Sequence, residues 1–200
     1  LLGSDGEIAD LSLMAHFEEN IDDNFAKLKE VTIPFELGKV PSWIYSREFS
    51  EETMAEWECC TSHSGGLVIP IRDEFSRMVG WAVRREKEQP KYVYSLSMKV
   101  SHLVFGAFRL KAEKSFICLT EGMLDTIWLG QNMFPSAALM GLNMSRYQEE
   151  IVSRFPTKEI VLCLDNDAPG LAATQKIFDR LSKFFVVSKI SIPKGFKDVQ

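Results

Sequence analysis

The chain has 200 residues, a formal net charge of −5 and a hydrophobic content of 46%, which is enough to bury a core. This length holds one domain or two small ones, and the ordinary charge, glycine and proline content excludes a disordered chain. No apolar run approaches the ~20 residues that a membrane span needs, and the amino terminus lacks the basic and then apolar pattern of a secretion signal. We therefore expect a globular cytoplasmic protein that has no membrane partner.

Charge is distributed unevenly along the chain. Residues 1–60 carry 14 acidic and 4 basic side chains, a net charge of −10, whereas residues 61–115 carry 5 acidic and 10 basic ones, a net charge of +5. Residues 116–200 carry 9 of each and are neutral. A basic segment suits a phosphate-rich substrate, although a solvated basic face is an equally common explanation.

The first segment, residues 1–30, has apolar residues at helical spacing opposite an acidic face. This pattern predicts an amphipathic helix or a broken pair of helices, which packs on its own domain or links it to a preceding one. A helix that docks on a partner is the alternative. Further along, Ser50 has the position of an N-cap, because acidic residues fill the next turn and apolar residues share one face beyond it.

From residue 65 the pattern becomes that of strands. Apolar runs at 67–71 and 78–83 flank a polar turn and predict a β-hairpin. Pro70 cannot donate a hydrogen bond to a neighbouring strand, so the first run should lie at a sheet edge or a bulge. A third short strand is predicted at 90–94.

The second half of the chain alternates apolar runs with helical periodicity. Buried strands are predicted at 115–120, 137–140 and 160–164, and helices at 123–130, 145–154 and 171–181. Gly130 should end the first of these helices. Such alternation predicts a parallel sheet with right-handed crossovers, in which the carboxyl ends of all strands lie along one edge.

Carboxylates follow two of these predicted strands. Glu121 comes directly after the first, and Asp165 and Asp167 come after the third. Three acids at one edge repel each other, and a bound Mg²⁺ or Mn²⁺ relieves that repulsion. The alternative is that Asp165 or Asp167 only caps the next helix, but both acids of the D-x-D pair together with the strand-end Glu121 favour a metal site. Asp125 lies one helical turn beyond Glu121 and is either a further ligand or an exposed helix acid.

These residues resemble the motifs of the TOPRIM domain, which occurs in bacterial-type primases, topoisomerases and some nucleases. The matching positions are Glu121-Gly122, Gly141 and Asp165-Asn166-Asp167-Ala168-Pro169-Gly170. The resemblance implies an α/β fold for residues 116–200, a parallel sheet with helices on both faces.

The preceding region resembles the smaller, basic, mixed α+β subdomain of the bacterial and phage primase core, here residues 31–115. The matching segments, in the family's order, are Arg47-Glu48-Phe49-Ser50, Pro70-Ile71-Arg72-Asp73, Gly80 to Arg84, Pro90-Lys91-Tyr92, and Lys99 ahead of Phe105-Gly106. The chain departs from the family at several positions. Glu48 stands where the family has glycine, Lys99 is offset by about one residue, Leu142 stands where threonine is frequent, and Val199-Gln200 replaces a proline and an acid.

The resemblance implies a DNA primase core, which joins ribonucleotides into short RNA primers on a single-stranded DNA template by metal-dependent nucleotidyl transfer. The implied ligands of a bound Mg²⁺ or Mn²⁺ are Glu121, Asp165 and Asp167, and Asp125 and Asp198 are additional ligands. Glu121 is alternatively the general base. The implied contacts to nucleotide or template phosphates are Arg47, Arg72, Arg84, Lys91, Lys99 and Lys197. The resemblance also implies a replicative helicase as a partner, bound through regions outside this chain. The implied location is the cytoplasm, in association with the nucleoid, or the host cytoplasm if the protein belongs to a phage.

Two other functions remain open at this stage. A nuclease of the TOPRIM family would use the same acids to cut a phosphodiester, and a non-catalytic module would bind DNA or a replication partner. A zinc site is not expected, because Cys59, Cys60 and His63 offer only three ligands with awkward spacing.

Overall fold

The structure, a computed structural model, describes residues 29–36, 39–96, 98–113 and 115–190. The chain divides into two units, residues 1–31 and 32–200. The helix predicted within residues 1–30 lies outside the described residues, apart from its last two positions, and everything below concerns the second unit. Of the helices in these described ranges, none combines the length and the apolar surface that a bilayer span requires.

The first sheet is antiparallel. Its strands are β1 (Cys60–Thr61), β2 (Leu67–Arg72), β3 (Met78–Arg84) and β4 (Tyr92–Tyr94), in the order β1-β2-β3-β4. A 3₁₀ turn (Ser42–Arg47) and helix α1 (Glu51–Glu56) precede it. The hydroxyl of Ser50 accepts a hydrogen bond from the backbone N–H of Thr53 at 3.1 Å, so the predicted N-cap is confirmed.

The predicted hairpin is β2 and β3. Pro70 lies opposite Trp81, while β1 pairs only with Leu67 and Val68. Within the described residues, the edge of β2 that faces away from β3 is therefore unpaired at Pro70. The register between β2 and β3 shifts just beyond this proline, between residues 71 and 72. The proline occupies an edge position beside a bulge, as its missing N–H requires.

The second sheet is parallel throughout, which confirms the α/β prediction. Its elements in chain order are β5 (Phe116–Thr120), α2 (Met123–Gln131), β6 (Ser136–Ala138), α3 (Arg146–Ser153), β7 (Glu159–Cys163), α4 (Ala168–Leu181) and β8 (Val186–Lys189). The strands have the order β6-β5-β7-β8. Helix α2 continues through Gly130 to Gln131, because a helix tolerates an interior glycine at a cost of about 1 kcal/mol. The division of this unit at residue 115 stays a prediction.

The segment between the two sheets carries the packing that joins them. Phe105 forms an antiparallel bridge to Ala138 of β6, with backbone hydrogen bonds of 2.9 and 3.0 Å. The ring of Trp57 stacks on Phe105 at 5.0 Å between centroids, and the guanidinium of Arg109 lies 4.2 Å from the Trp57 ring centroid. Gly106, which directly follows Phe105, has a φ of 81°, a conformation that favours glycine.

Candidate nucleotidyl-transfer site

The parallel sheet places two acidic strand ends side by side. Thr120 of β5 and Cys163 of β7 are register partners, so Glu121 and Asp165 leave neighbouring strands at the same edge. The chain goes from β5 to β6 on one side and then to β7 on the other side of β5. This reversal is a topological switch point, where open α/β sheets bind their ligands in a crevice beyond the carboxyl ends of the strands.

Asp125 extends this edge from the first turn of helix α2. A Cβ at Gly122 would lie 2.5 Å from Oδ2 of Asp125, so the glycine of the Glu121-Gly122 pair leaves the space that this carboxylate occupies. The pKa of Cys163, at the end of β7, is raised mainly by its hydrogen bond with Cys118 and by burial, and further by the charge of Asp125. The carboxylate of Asp125 therefore lies within electrostatic reach of the carboxyl end of β7.

Asp167 has a structural role that the sequence left open. It is the N-cap of helix α4, and its Oδ1 accepts a hydrogen bond from the backbone N–H of Gly170 at 2.9 Å. A Cβ at Gly170 would lie 2.1 Å from the carbonyl oxygen of Asp165. With the D-x-D-x-x-G spacing, the backbone of Asp165 packs closely on Gly170 and the side chain of Asp167 caps the helix. Both acids are therefore held against the first turn of α4.

The acids fit a divalent cation by their chemistry and their position, but their side chains are not arranged as a ligand cluster. Across the part of the chain that the structure describes, no group of three or more His, Cys, Asp or Glu side chains is disposed to hold a metal ion. Asp198, the last predicted ligand, lies outside the described residues. Because all candidate donors are carboxylate oxygens, the set suits Mg²⁺ or Mn²⁺ better than a softer metal.

Arg84 is the basic residue with the most unusual surroundings. Its relative exposure is 7%, its guanidinium donates to the carbonyl of Arg85, and it lies 5.3 Å from the ring centroid of Tyr92. No carboxylate within the described ranges forms an ion pair with it. A buried cation is costly unless an anion compensates its charge, so an anionic ligand would stabilise Arg84 in this position.

The phenol of Tyr92 connects this arginine to the acidic edge. Burial raises the pKa of Tyr92, the charge of Arg84 opposes that shift, Asp125 adds to it, and Arg47 opposes it again. Arg84, Asp125 and Arg47 therefore each lie within electrostatic reach of the Tyr92 phenol.

The other predicted phosphate contacts differ in their surroundings. Arg72 forms an ion pair with Glu58 at 2.6 Å and donates to the carbonyl of Ser76 at 2.9 Å, so it supports the β2–β3 turn. Lys91 and Lys99 are exposed, which leaves their ammonium groups accessible. Lys197 lies outside the described residues.

Sequence reasoning missed two glutamines that join distant segments. Gln148 of α3 is 1% exposed, and its Nε2 donates to the carbonyls of Leu103 and Leu139 at 2.9 and 2.8 Å. The spacing from Ser145 to Gln148 is a capping-box signature and identifies its bond to the Ser145 N–H. No sequence signal identifies its links to residues 103 and 139, nor those of Gln131 to the segment 48–50.

Comparison with known proteins defines the class. A family model for Toprim-like domains matches residues 118–200, the part that contains the parallel sheet and its acidic edge. The chain also superimposes on an E. coli primase catalytic core with a TM-score of 0.65 at 17% identity, covering 78% of this chain and 65% of that one. The second half of this chain is therefore similar to Toprim-like domains, and the chain has the fold of the primase catalytic core.

Sequence relatives identify the group more closely. The chain is 29% identical over 142 residues to the DNA primase of Thermotoga maritima, covering 67% of this chain and 25% of that protein. It is 30% identical over 140 residues to the DNA primase of Mycoplasma genitalium, covering 66% and 23%. An Aquifex aeolicus primase structure with zinc-binding and RNA polymerase domains matches at 26% identity and a TM-score of 0.57, covering 80% and 45%.

The chain is therefore similar in sequence to bacterial DNA primases, and the resemblance carried by its motifs is confirmed. It spans about a quarter of the length of the curated relatives that it matches.

Proposed function

We propose that this chain is the catalytic core of a DNA primase, an enzyme that joins ribonucleotides into short primers on single-stranded DNA. Two observations carry the proposal. The parallel sheet brings two acidic strand ends to one edge, and Arg84 is a buried cation that forms no ion pair with a carboxylate of the described residues. Phosphate is the anion that a nucleotide or a template strand supplies to such an arginine.

The assigned roles follow from position. Glu121, Asp165 and Asp167, helped by Asp125 and Asp198, would hold a divalent cation; Toprim domains of primases depend on metal, generally Mg²⁺. When bound, the cation would lower the pKa of the attacking hydroxyl and stabilise charge on the transferring phosphoryl group. Arg47 and Arg84 would orient the triphosphate or the template, and the exposed Lys91 and Lys99 would add charge along the same path.

Structures of related proteins support the proposed ligands. A primase catalytic domain with a TM-score of 0.67 to this chain, at 15% identity and covering 92% of it, was described bound to single-stranded DNA. Primase domains of bacteriophage T7, with a TM-score of 0.59 at 19% identity, were described in a complex with the T7 lagging-strand DNA polymerase that also contains an RNA/DNA hybrid and dTTP. We propose single-stranded DNA and ribonucleoside triphosphates as ligands here, and a replicative helicase as a partner through regions outside this chain.

The decisive experiment measures incorporation of labelled ATP on an oligo(dT) template, with Mg²⁺, with Mn²⁺ and with a chelator. We expect short labelled products that require the metal, the template and the nucleotide. The assay uses a high template concentration, so that weak template binding is still detected.

The same protein preparation separates the alternatives. Metal-dependent cleavage of labelled DNA without nucleotides would identify a nuclease and overturn the proposal. Absence of both activities, together with absence of Mn²⁺ binding, would identify a module that only binds DNA or a partner.

A further inference from the structure

Gln131, the last residue of helix α2, lies at the contact between that helix and the segment that follows Arg47. Its Oε1 accepts a hydrogen bond from the backbone N–H of Ser50 at 2.8 Å. Its Nε2 donates to the backbone carbonyl of Glu48 at 2.9 Å. One amide side chain therefore satisfies a donor and an acceptor that lie 81 and 83 residues away in sequence. We call this pair of bonds the Gln131 clamp.

The clamp holds a segment that has an unusual conformation. Glu48 has φ 64° and ψ 18°, the left-handed region that non-glycine residues rarely adopt. Ser50 is the N-cap of helix α1, so its own N–H lies outside that helix and finds its acceptor in Gln131. The two bonds thus fix the turn between the 3₁₀ turn and α1 at both sides of Phe49, whose ring is buried.

The clamp joins helix α2, which carries Asp125, to the segment that carries Arg47. Helix α2 begins directly after Glu121-Gly122 and carries Asp125 in its first turn, and it ends at Gln131. Arg47 immediately precedes the clamped carbonyl of Glu48. The same rigid helix that carries an acid at its start therefore anchors, at its end, the backbone from which the Arg47 side chain extends.

We propose that Gln131 is a positioning residue that holds the Arg47 segment against helix α2, so that Arg47 binds a phosphate of the nucleotide or the template. This inference rests on the proposed function, because it assigns Arg47 a phosphate-bearing ligand. Pre-organisation of this kind lowers the free energy lost on binding, since the loop is ordered before the ligand arrives.

The first test is hydrogen exchange at the Ser50 amide in the free protein. We expect this amide to exchange slowly in the wild type, and at least about tenfold faster in Gln131→Met, which keeps the length of the side chain and removes both bonds. Gln131→Glu keeps an acceptor for the Ser50 N–H and should retain protection there. Gln175→Met, a change of the same residue type on helix α4, is the matched control and should leave the Ser50 amide unchanged.

The second test is a double-mutant cycle with Arg47→Met, measured by ATP incorporation on oligo(dT). We expect Gln131→Met to raise the KM for ATP or the Kd for the oligonucleotide by about tenfold, with kcat within about twofold, as expected for lost ligand binding. In the Arg47→Met background the same change should have little further effect, because the arginine that Gln131 positions is gone. Gln175→Met should change neither parameter.

The outcomes separate this inference from the proposed function. Rapid exchange at Ser50 in the wild type, or fully additive effects of the Gln131 and Arg47 changes, would overturn the positioning role while leaving the polymerase assignment in place. A wild-type protein that neither incorporates ATP nor binds oligo(dT) would overturn the proposed function, and the role of Gln131 in ligand binding with it.

Discussion

The carbonyl of Asp165 packs directly over Gly170, at a distance where a Cβ on residue 170 would come within 2.1 Å of the carbonyl oxygen. The contact is with backbone, which cannot move aside as the end of a flexible side chain does. It explains in steric terms why glycine follows the second acid of the D-x-D pair by three residues.

Gly170→Ala should therefore destabilise the protein by about 1–3 kcal/mol, the usual cost of overpacking. Alanine gains up to ~1 kcal/mol in helix propensity, which is smaller than the steric cost. Gly141→Ala is the matched control, because nothing lies within 4 Å of the added Cβ, and its effect should stay within about 0.5 kcal/mol. Urea denaturation measures both. Equal stabilities of the two variants would contradict the close approach at Gly170.

The capping role of Asp167 and its proposed role as a metal ligand can be separated by two substitutions. Asp167→Ala removes the cap of helix α4 and should cost about 0.5–2 kcal/mol, whereas Asp167→Asn keeps a good capping residue and should change stability by only a few tenths. Both remove a carboxylate and should weaken Mn²⁺ binding, measured by titration calorimetry. Wild-type Mn²⁺ affinity in Asp167→Asn would show that this residue acts only as a cap.

Asp165→Ala should abolish primer synthesis and leave the fold intact. The backbone carbonyl that packs on Gly170 is retained, while the loss of a metal ligand removes several kcal/mol of transition-state stabilisation, a rate decrease on the order of 100-fold or more. Asp179→Ala, an exposed acid on helix α4, is the control and should remain active. A folded Asp165→Ala protein with near-normal primer yield would count against the assignment.

Arg84 and Arg72 should respond differently to the same change. Arg84→Met should weaken binding of single-stranded DNA or nucleotide and reduce the slope of log affinity against log salt by about 0.7 for each lost phosphate contact. Arg72→Met should leave the slope unchanged, because Arg72 already pairs with Glu58. Fluorescence titration of a labelled oligonucleotide at several salt concentrations measures both variants. A reduced slope in Arg72→Met alone would reverse the two assignments.

Glu48→Gly should stabilise the protein, although it introduces glycine. The left-handed conformation costs a non-glycine residue roughly 1–2 kcal/mol, while glycine loses about 0.5–1 kcal/mol through the entropy of the unfolded chain. The difference between the two terms is a net gain of up to about 1.5 kcal/mol. Glu51→Gly, in the first turn of α1, has no such relief and should destabilise. The two changes should shift the urea midpoint in opposite directions.

Local patterns were sufficient for most of the secondary structure. Two apolar runs around a polar turn predicted the β2–β3 hairpin, and Pro70 predicted an edge or a bulge, since a missing N–H is a local property. Apolar runs separated by helical periodicity predicted the parallel sheet. Gly130 was an exception: the expected helix end lies one residue further on, at Gln131, because packing and hydrogen bonds outweigh a weak local preference.

The sequence by itself determined which residues stand at the strand ends, and therefore that Glu121 and Asp165 share one edge, because parallel pairing forces consecutive carboxyl ends together. Only the tertiary structure decided how each polar side chain is used. In the folded chain Asp167 caps helix α4, and Arg72 forms an ion pair with Glu58. Arg84 is buried without an acidic partner in the described residues, and Gln131 makes two hydrogen bonds to a distant segment. A charged or amide side chain has no periodic signature, and its partner depends on which distant segment the fold brings within hydrogen-bond distance.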